Sequence, residues 1–67
     1  MIQIQINSEE REIPDGTSMA QLIQILDIGD QRIAVEVNEE LVPRSAFGGH
    51  LLTDKDRVEI IQAIGGG

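Results

Sequence analysis

The chain has 67 residues, 12 acidic against 5 basic side chains, a net charge of −7 and no cysteine. A chain this short folds as one domain whose core hides only about 60% of the surface that the unfolded chain exposes, which leaves little room for an internal active site. The acidic balance argues against nucleic acid and anionic membrane surfaces, which attract basic patches, and favours a protein partner with a basic face. The missing thiols exclude disulfides, thiolate metal sites and thiol chemistry on this chain.

Ile2, Ile4 and Ile6 alternate with Gln3 and Gln5, the period of a strand with one buried face. Residues Asn7 to Arg11 read as a polar turn, and Glu12-Ile13 as a short returning strand ended by Pro14. Asp15-Gly16 marks a turn. Ser18 to Leu26 is predicted helical, because Met19, Leu22, Ile23 and Leu26 fall at i, i+3, i+4 and i+7. Ser18 with Gln21 fits a capping box, with Thr17 as the alternative cap, and Gly29 is placed to end the helix. Met19 lies on the apolar stripe and reads as core filler.

Arg32 to Val37 reads as a strand with Ile33, Val35 and Val37 on one face, followed by an Asn38-Glu39 turn. Glu40 to Val42 is a short strand that Pro43 confines to an edge. Ser45 to His50 reads as a loop, Leu51 and Leu52 return the chain to the core, and Asp54-Lys55-Asp56 is a turn. Arg57 to Ile64 is the last strand. Ile61 and Ala63 make its second face apolar too, which predicts a central position in the sheet. The order ββαβ(β)β with a single helix implies an α+β layer arrangement.

No side-chain constellation supports catalysis. His50 is the only histidine, and a lone histidine without Cys or clustered carboxylates is a poor metal site. Ser8, Ser18 and Ser45 have no base brought to them by spacing, whereas nucleophilic catalysis needs nucleophile and base held together. Glu9-Glu10 and Glu39-Glu40 read as solvated turn charge. No helix start follows Gly48-Gly49 to make it a phosphate loop. No apolar run approaches the ~20 residues of a membrane span. Met1 leads straight into the strand pattern, without the basic and apolar regions of a leader, so the expected compartment is the cytoplasm.

What is left is the end: Gly65, Gly66 and Gly67 after the apolar run from Val58 to Ile64. Glycine adds no side chain to a core. A glycine tail after a domain of residues 1–64 suits threading a narrow channel to present the α-carboxylate of Gly67. A carboxylate repels nucleophiles and must first be activated, for which an acyl-adenylate made with ATP is the usual route. The activated carbonyl is then open to an amine, giving an isopeptide, or to sulfur, giving a thiocarboxylate.

The stretch from Ile33 to Ser45, with Asn38 and Val42-Pro43-Arg44 in it, resembles the Val-Asn…Val-Pro-Arg segment of the thiamin-biosynthesis sulfur carrier (ThiS type). Leu52 through Asp56 with Val58-Glu59-Ile60-Ile61, the Ile64-Gly65-Gly66-Gly67 end and the early Asp15-Gly16-Thr17 resemble the same family. The resemblance implies a ubiquitin-like β-grasp fold and a co-substrate rather than an enzyme. It also implies an ATP-dependent activating enzyme that adenylates Gly67, sulfur from a persulfide, and thiazole synthase as the acceptor. No cofactor is bound on this reading; ATP is used by the activating enzyme. Lys55 stands where the family turn usually has glycine. Phe47, the only aromatic residue, stands near the position where relatives often carry tryptophan; it reads first as a packing anchor and second, with Arg44, as a candidate partner contact. The molybdopterin-synthase carrier and a ubiquitin-like protein modifier share the glycine end and are the alternatives.

Overall fold

The computed structural model describes residues 1–29 and 31–62. The first strand, β1 (Ile2–Ile6), pairs antiparallel with β2 (Glu9–Ile13) through the two-residue turn Asn7-Ser8. Both turn residues are left-handed, with φ of 50° and 72°, as the tight hairpin turn requires. The return strand is therefore longer than the polar sequence suggests, and Glu9-Glu10 belong to it rather than to a turn. β2 is an edge strand, so Glu9 to Glu12 can all stay exposed while only Ile13 is buried, and charge on an edge discourages pairing with other chains.

Helix α1 (Met19–Ile25) begins as its sequence predicts. The Ser18 hydroxyl accepts the Gln21 N–H at 3.1 Å, and Gln21 Oε1 accepts the Ser18 N–H at 2.9 Å. Its end differs from expectation. Asp27, not Gly29, takes the left-handed position (φ 58°); its N–H donates to the Gln24 carbonyl and the Ile28 N–H to the Ile23 carbonyl, at 3.0 and 3.3 Å. A short polar side chain tolerates that conformation, so the stop comes two residues before the glycine.

β3 (Ile33–Val37) and β4 (Glu40–Val42) form a second hairpin around Asn38-Glu39, again with both φ positive. A 3-10 turn (Arg44–Ala46) follows, and β5 (Arg57–Gln62) is the last described strand. The expected extension of that strand to Ile64 lies outside the described residues. The sheet order is β2-β1-β5-β3-β4, with β1 and β5 parallel and the other neighbours antiparallel. The architecture is the expected α+β arrangement, with β5 central.

Met19, Leu22 and Ile23 of the helix share one core with Ile4, Ile13, Val35, Val37, Val42, Phe47, Leu52 and Val58. Among the described residues there is one α-helix, and it covers one face of the sheet. Ile61, whose apolar character helped to predict a central strand, is consequently 57% exposed on the other face. Leu51 is likewise exposed while Leu52 is buried: neighbours along extended chain point opposite ways, so only one of the pair reaches the core.

Lys55 adopts φ 71°, confirming that its turn position calls for a left-handed residue. Glycine avoids the Cβ clash there but loses more freedom on folding, so Lys55→Gly is expected to stabilise the domain by about 0.5–1 kcal/mol. Urea denaturation measures this; a lower midpoint would mean that the lysine side chain contributes more than its Cβ costs.

Candidate functional site

The glycines Gly65, Gly66 and Gly67 lie outside the described residues, so the site is approached from the strand that delivers them. β5 runs between β1 and β3, and at its end Gln62 pairs with Ile33. Gly67 is five residues farther along the chain. At ~3.3–3.6 Å per residue its carboxylate reaches at most about 18 Å from Gln62.

Two asparagines hold β5 by its main chain. The Asn38 N–H donates to the Arg57 carbonyl at 2.8 Å, and Asn38 Oδ1 accepts the Arg57 N–H at 3.0 Å. On the opposite edge of the strand, the side of β1, the Asn7 N–H donates to the Val58 carbonyl at 2.9 Å. Asn7 Oδ1 then accepts the Ile60 N–H at 2.9 Å while Nδ2 donates to the Ile60 carbonyl at 3.2 Å. The Asn7 carboxamide thus stands in for a strand neighbour after β1 has turned away, and carries the ladder two residues nearer the tail. The sequence shows Asn7 only as a turn residue. Its second role requires that β1 and β5, more than fifty residues apart, lie side by side.

Asn7→Ala leaves the Ile60 N–H and carbonyl without this partner and weakens a left-handed turn residue. The expected cost is about 1–2 kcal/mol. Amide hydrogen exchange should show the loss concentrated at Ile60; unchanged protection there would remove Asn7 from the support of the tail.

Beside this strand end lies an open groove of about 370 Å³ lined by Ile6, Asn7, Leu26, Ile28, Ile60 and Gln62. Arg44 is also near this end of the sheet: its guanidinium donates to the Gln31 carbonyl at 3.2 Å, two residues ahead of Ile33. The same guanidinium stands 5.7 Å from the centre of the Phe47 ring. Phe47 itself is 7% exposed and belongs to the core, which matches its reading as a packing anchor. Arg44 itself is exposed, whereas the ring beside its guanidinium is buried.

The other polar residues singled out in the sequence serve the fold. Ser18 caps the helix, Ser8 lies in the first turn, Ser45 in the 3-10 turn, and the His50 carbonyl accepts the Met19 N–H at 2.8 Å. Among the described residues no three His, Asp or Glu side chains gather as a metal site. The Met1 ammonium and Asp15 pair at 2.8 Å, and that hydrogen-bonded contact raises the pKa of the first and lowers that of the second. Both groups are exposed, just ahead of the start of β1.

The sequence model of the ThiS family matches residues 4–67. The chain belongs to the ThiS family. The match runs through the last glycine. The sulfur carrier protein ThiS of Escherichia coli is 29% identical over 66 residues, covering 98% of this chain and all of that one. An uncharacterised protein, ycf40, of Porphyra purpurea is 41% identical over 98% of this chain and 93% of its own length. A thiazole synthase of Paramagnetospirillum magneticum is 37% identical over 92% of this chain, which corresponds to only 19% of that protein. The crystal structure of thiamine biosynthesis protein ThiS from Geobacter metallireducens superposes with a TM-score of 0.85 at 25% identity, covering 98% of this chain and 100% of that one. The expected ThiS-type carrier on a ubiquitin-like β-grasp fold is therefore met. Family membership makes this ThiS-type chain a carrier protein rather than a catalyst.

Proposed function

We propose that this ThiS-type chain carries sulfur for thiamin biosynthesis as a thiocarboxylate on Gly67. The observation that carries the reading is that the family match extends over the whole glycine end, to residue 67. The likeness to the E. coli sulfur carrier over its full length supports the cargo, and the likeness to part of a thiazole synthase supports the acceptor.

The chemistry follows from the terminal group. A Gly67 carboxylate oxygen attacks the α-phosphorus of ATP and displaces pyrophosphate, leaving an acyl-adenylate. A persulfide sulfur attacks the acyl carbon and AMP departs. A thiol then cleaves the remaining sulfur–sulfur bond, leaving the thiocarboxylate on Gly67 and a disulfide on the donor side. Both ATP and the persulfide belong to the activating machinery. The chain contributes a carbonyl without a neighbouring side chain and a rigid body from which to present it.

The test is mass spectrometry of the intact protein after incubation with its activating enzyme, ATP and a persulfide donor. The expected product has one oxygen replaced by sulfur, and that product should support thiazole formation by thiazole synthase. An isopeptide-linked product, or no ATP consumption, overturns the reading; sulfur accepted only by molybdopterin synthase reassigns the pathway.

A further inference from the structure

The sequence contains four arginines, Arg11, Arg32, Arg44 and Arg57, and a single lysine, Lys55. The fold sorts amine from guanidinium by the ends of the sheet. Because β1 and β5 run parallel, the residues ahead of both strands lie at one end and the tail leaves from the other. The Lys55 N–H donates to the Gln3 carbonyl at 2.6 Å, so the alignment of the two strands continues back to Lys55. Lys55 stands seven residues ahead of Gln62, about 23 Å at the rise of a strand. Met1 precedes β1 and lies at that same end. Its ammonium is 2.8 Å from Asp15, a hydrogen-bonded contact that raises its pKa and holds the proton. At the tail's end the basic groups are guanidiniums. Arg32 directly precedes Ile33, the partner of Gln62, and the Arg44 guanidinium donates to the Gln31 carbonyl at 3.2 Å. Both arginines are exposed. Residues 31 and 32 therefore lie within about 13 Å of Gln62, inside the ~18 Å that the five residues beyond it can span.

We propose that Arg32 and Arg44 set the acceptor specificity of the activated Gly67 carbonyl: they place positive charge where the tail leaves the sheet without placing an amine there, so that sulfur from outside is captured rather than nitrogen from within. This rests on the sulfur-carrier reading above. An acyl carbon activated as an adenylate is open to a neutral amine. The nitrogen lone pair forms the C–N bond, AMP leaves with the electrons of its bond to carbon, and the proton on nitrogen passes to solvent. The product is a lactam with no carboxylate left to activate. A lysine of ordinary pKa has a few tenths of a per cent of its amine free near pH 8 (roughly 0.4%), and a short tether presents it at about millimolar concentration. A guanidinium, with a pKa above about 12, presents almost no free base. Lys55 is kept out by distance. Only a fully extended tail laid back along the sheet, toward a fully extended lysine, closes the gap, and ordering that many bonds costs conformational entropy.

The experiment uses the full chain with a thioester at Gly67, an activated acyl group that needs no enzyme. Intact mass reads the lactam as one water lighter than the free acid, and peptide mapping locates the new bond. The parent thioester should hydrolyse to the acid. Arg44→Lys and Arg32→Lys are each expected to give about tenfold more lactam than the parent, linked through the new lysine. Arg57→Lys conserves charge in the same way but puts its amine at the far end of β5, and it should match the parent. All three exchanges are at exposed positions, and melting curves check that the fold is kept. Lactam in the parent through Lys55 or Met1, at the level of the Arg32 and Arg44 variants, overturns the proposal. So does parent-like behaviour of Arg32→Lys and Arg44→Lys, or equal cyclisation in Arg57→Lys. The thioester readout is independent of ATP, so a parent protein that its activating enzyme never adenylates rejects the carrier reading separately.

Discussion

Removing Gly66 and Gly67 is expected to abolish activation of this protein while leaving its thermal transition within about 2–4 °C of the parent. That range corresponds to the ±0.5 kcal/mol typical of changes away from packed features, in a domain of this size. Among the described residues the buried core runs from Ile4 to Val58, and Val58 is 1% exposed. Glycine has no side chain to withdraw from water, so its loss removes no apolar burial. The chemical effect is the opposite extreme. The deletion moves the terminal carboxylate back by two residues, roughly 7 Å of reach, and a reacting group displaced by even 1 Å can lose two orders of magnitude in rate. Gly66→Ala keeps the length and adds one methyl, so it separates reach from width: slower activation with an unchanged melting temperature would locate the clash in the partner's channel. A fall of 10 °C or more on deletion would mean that the tail is part of the folded body, and the division of labour between fold and tail would be wrong.

Much of the architecture was legible because local and global signals agree. The alternation of Ile2, Ile4 and Ile6, the Ser18–Gln21 box and the i, i+3, i+4, i+7 stripe each specify an element without help from the rest of the chain. Disagreements arise where a residue's surroundings come from elsewhere. Glu9 to Glu12 look like a turn because nothing in them is apolar, yet β1 gives them a partner and the edge position gives them solvent. Ile61 looks like core because it is apolar, yet no second layer covers it among the described residues. Leu51 and Leu52 are indistinguishable by composition and are separated only by the direction in which the extended chain points each of them. The site divides in the same way. The glycine end and the Val42-Pro43-Arg44 segment could be read directly. The support of β5 by Asn7 depends on which strands become neighbours.

The turn Asp54-Lys55-Asp56 hides a similar asymmetry, and a large stability effect is expected from it. Asp54 is exposed and accepts the Gln3 N–H at 2.8 Å. Asp56 is 7% exposed, and its carboxylate gathers three donors. Oδ1 accepts from Asn38 Nδ2 and from the Thr53 hydroxyl, each at 3.0 Å, and Oδ2 accepts the Thr53 N–H at 2.9 Å. Asn38 in turn accepts the Arg57 N–H, so the carboxylate fixes the turn, the β3–β4 hairpin and the first residue of β5 together. Asp56→Ala removes the acceptor of all three donors at a part-buried site. Hydrogen bonds to a charged group contribute more than neutral ones, and an unsatisfied buried donor costs about 1–3 kcal/mol, so the network together should cost about 2–4 kcal/mol. In a domain this small that is a fall in melting temperature of roughly 10–30 °C. Asp56→Asn retains one acceptor oxygen for Oδ1's partners but turns a donor toward the Thr53 N–H, so it should fall between alanine and the parent. Asp54→Ala, losing one exposed hydrogen bond, should cost no more than about 1 kcal/mol. Calorimetry of the three variants reads the order directly, and equal losses for Asp54→Ala and Asp56→Ala would show that burial at this turn does not set the energy. Because the same network seats the start of β5, Asp56→Ala should also lower activation of Gly67 near its melting range, and restore it on cooling well below that range.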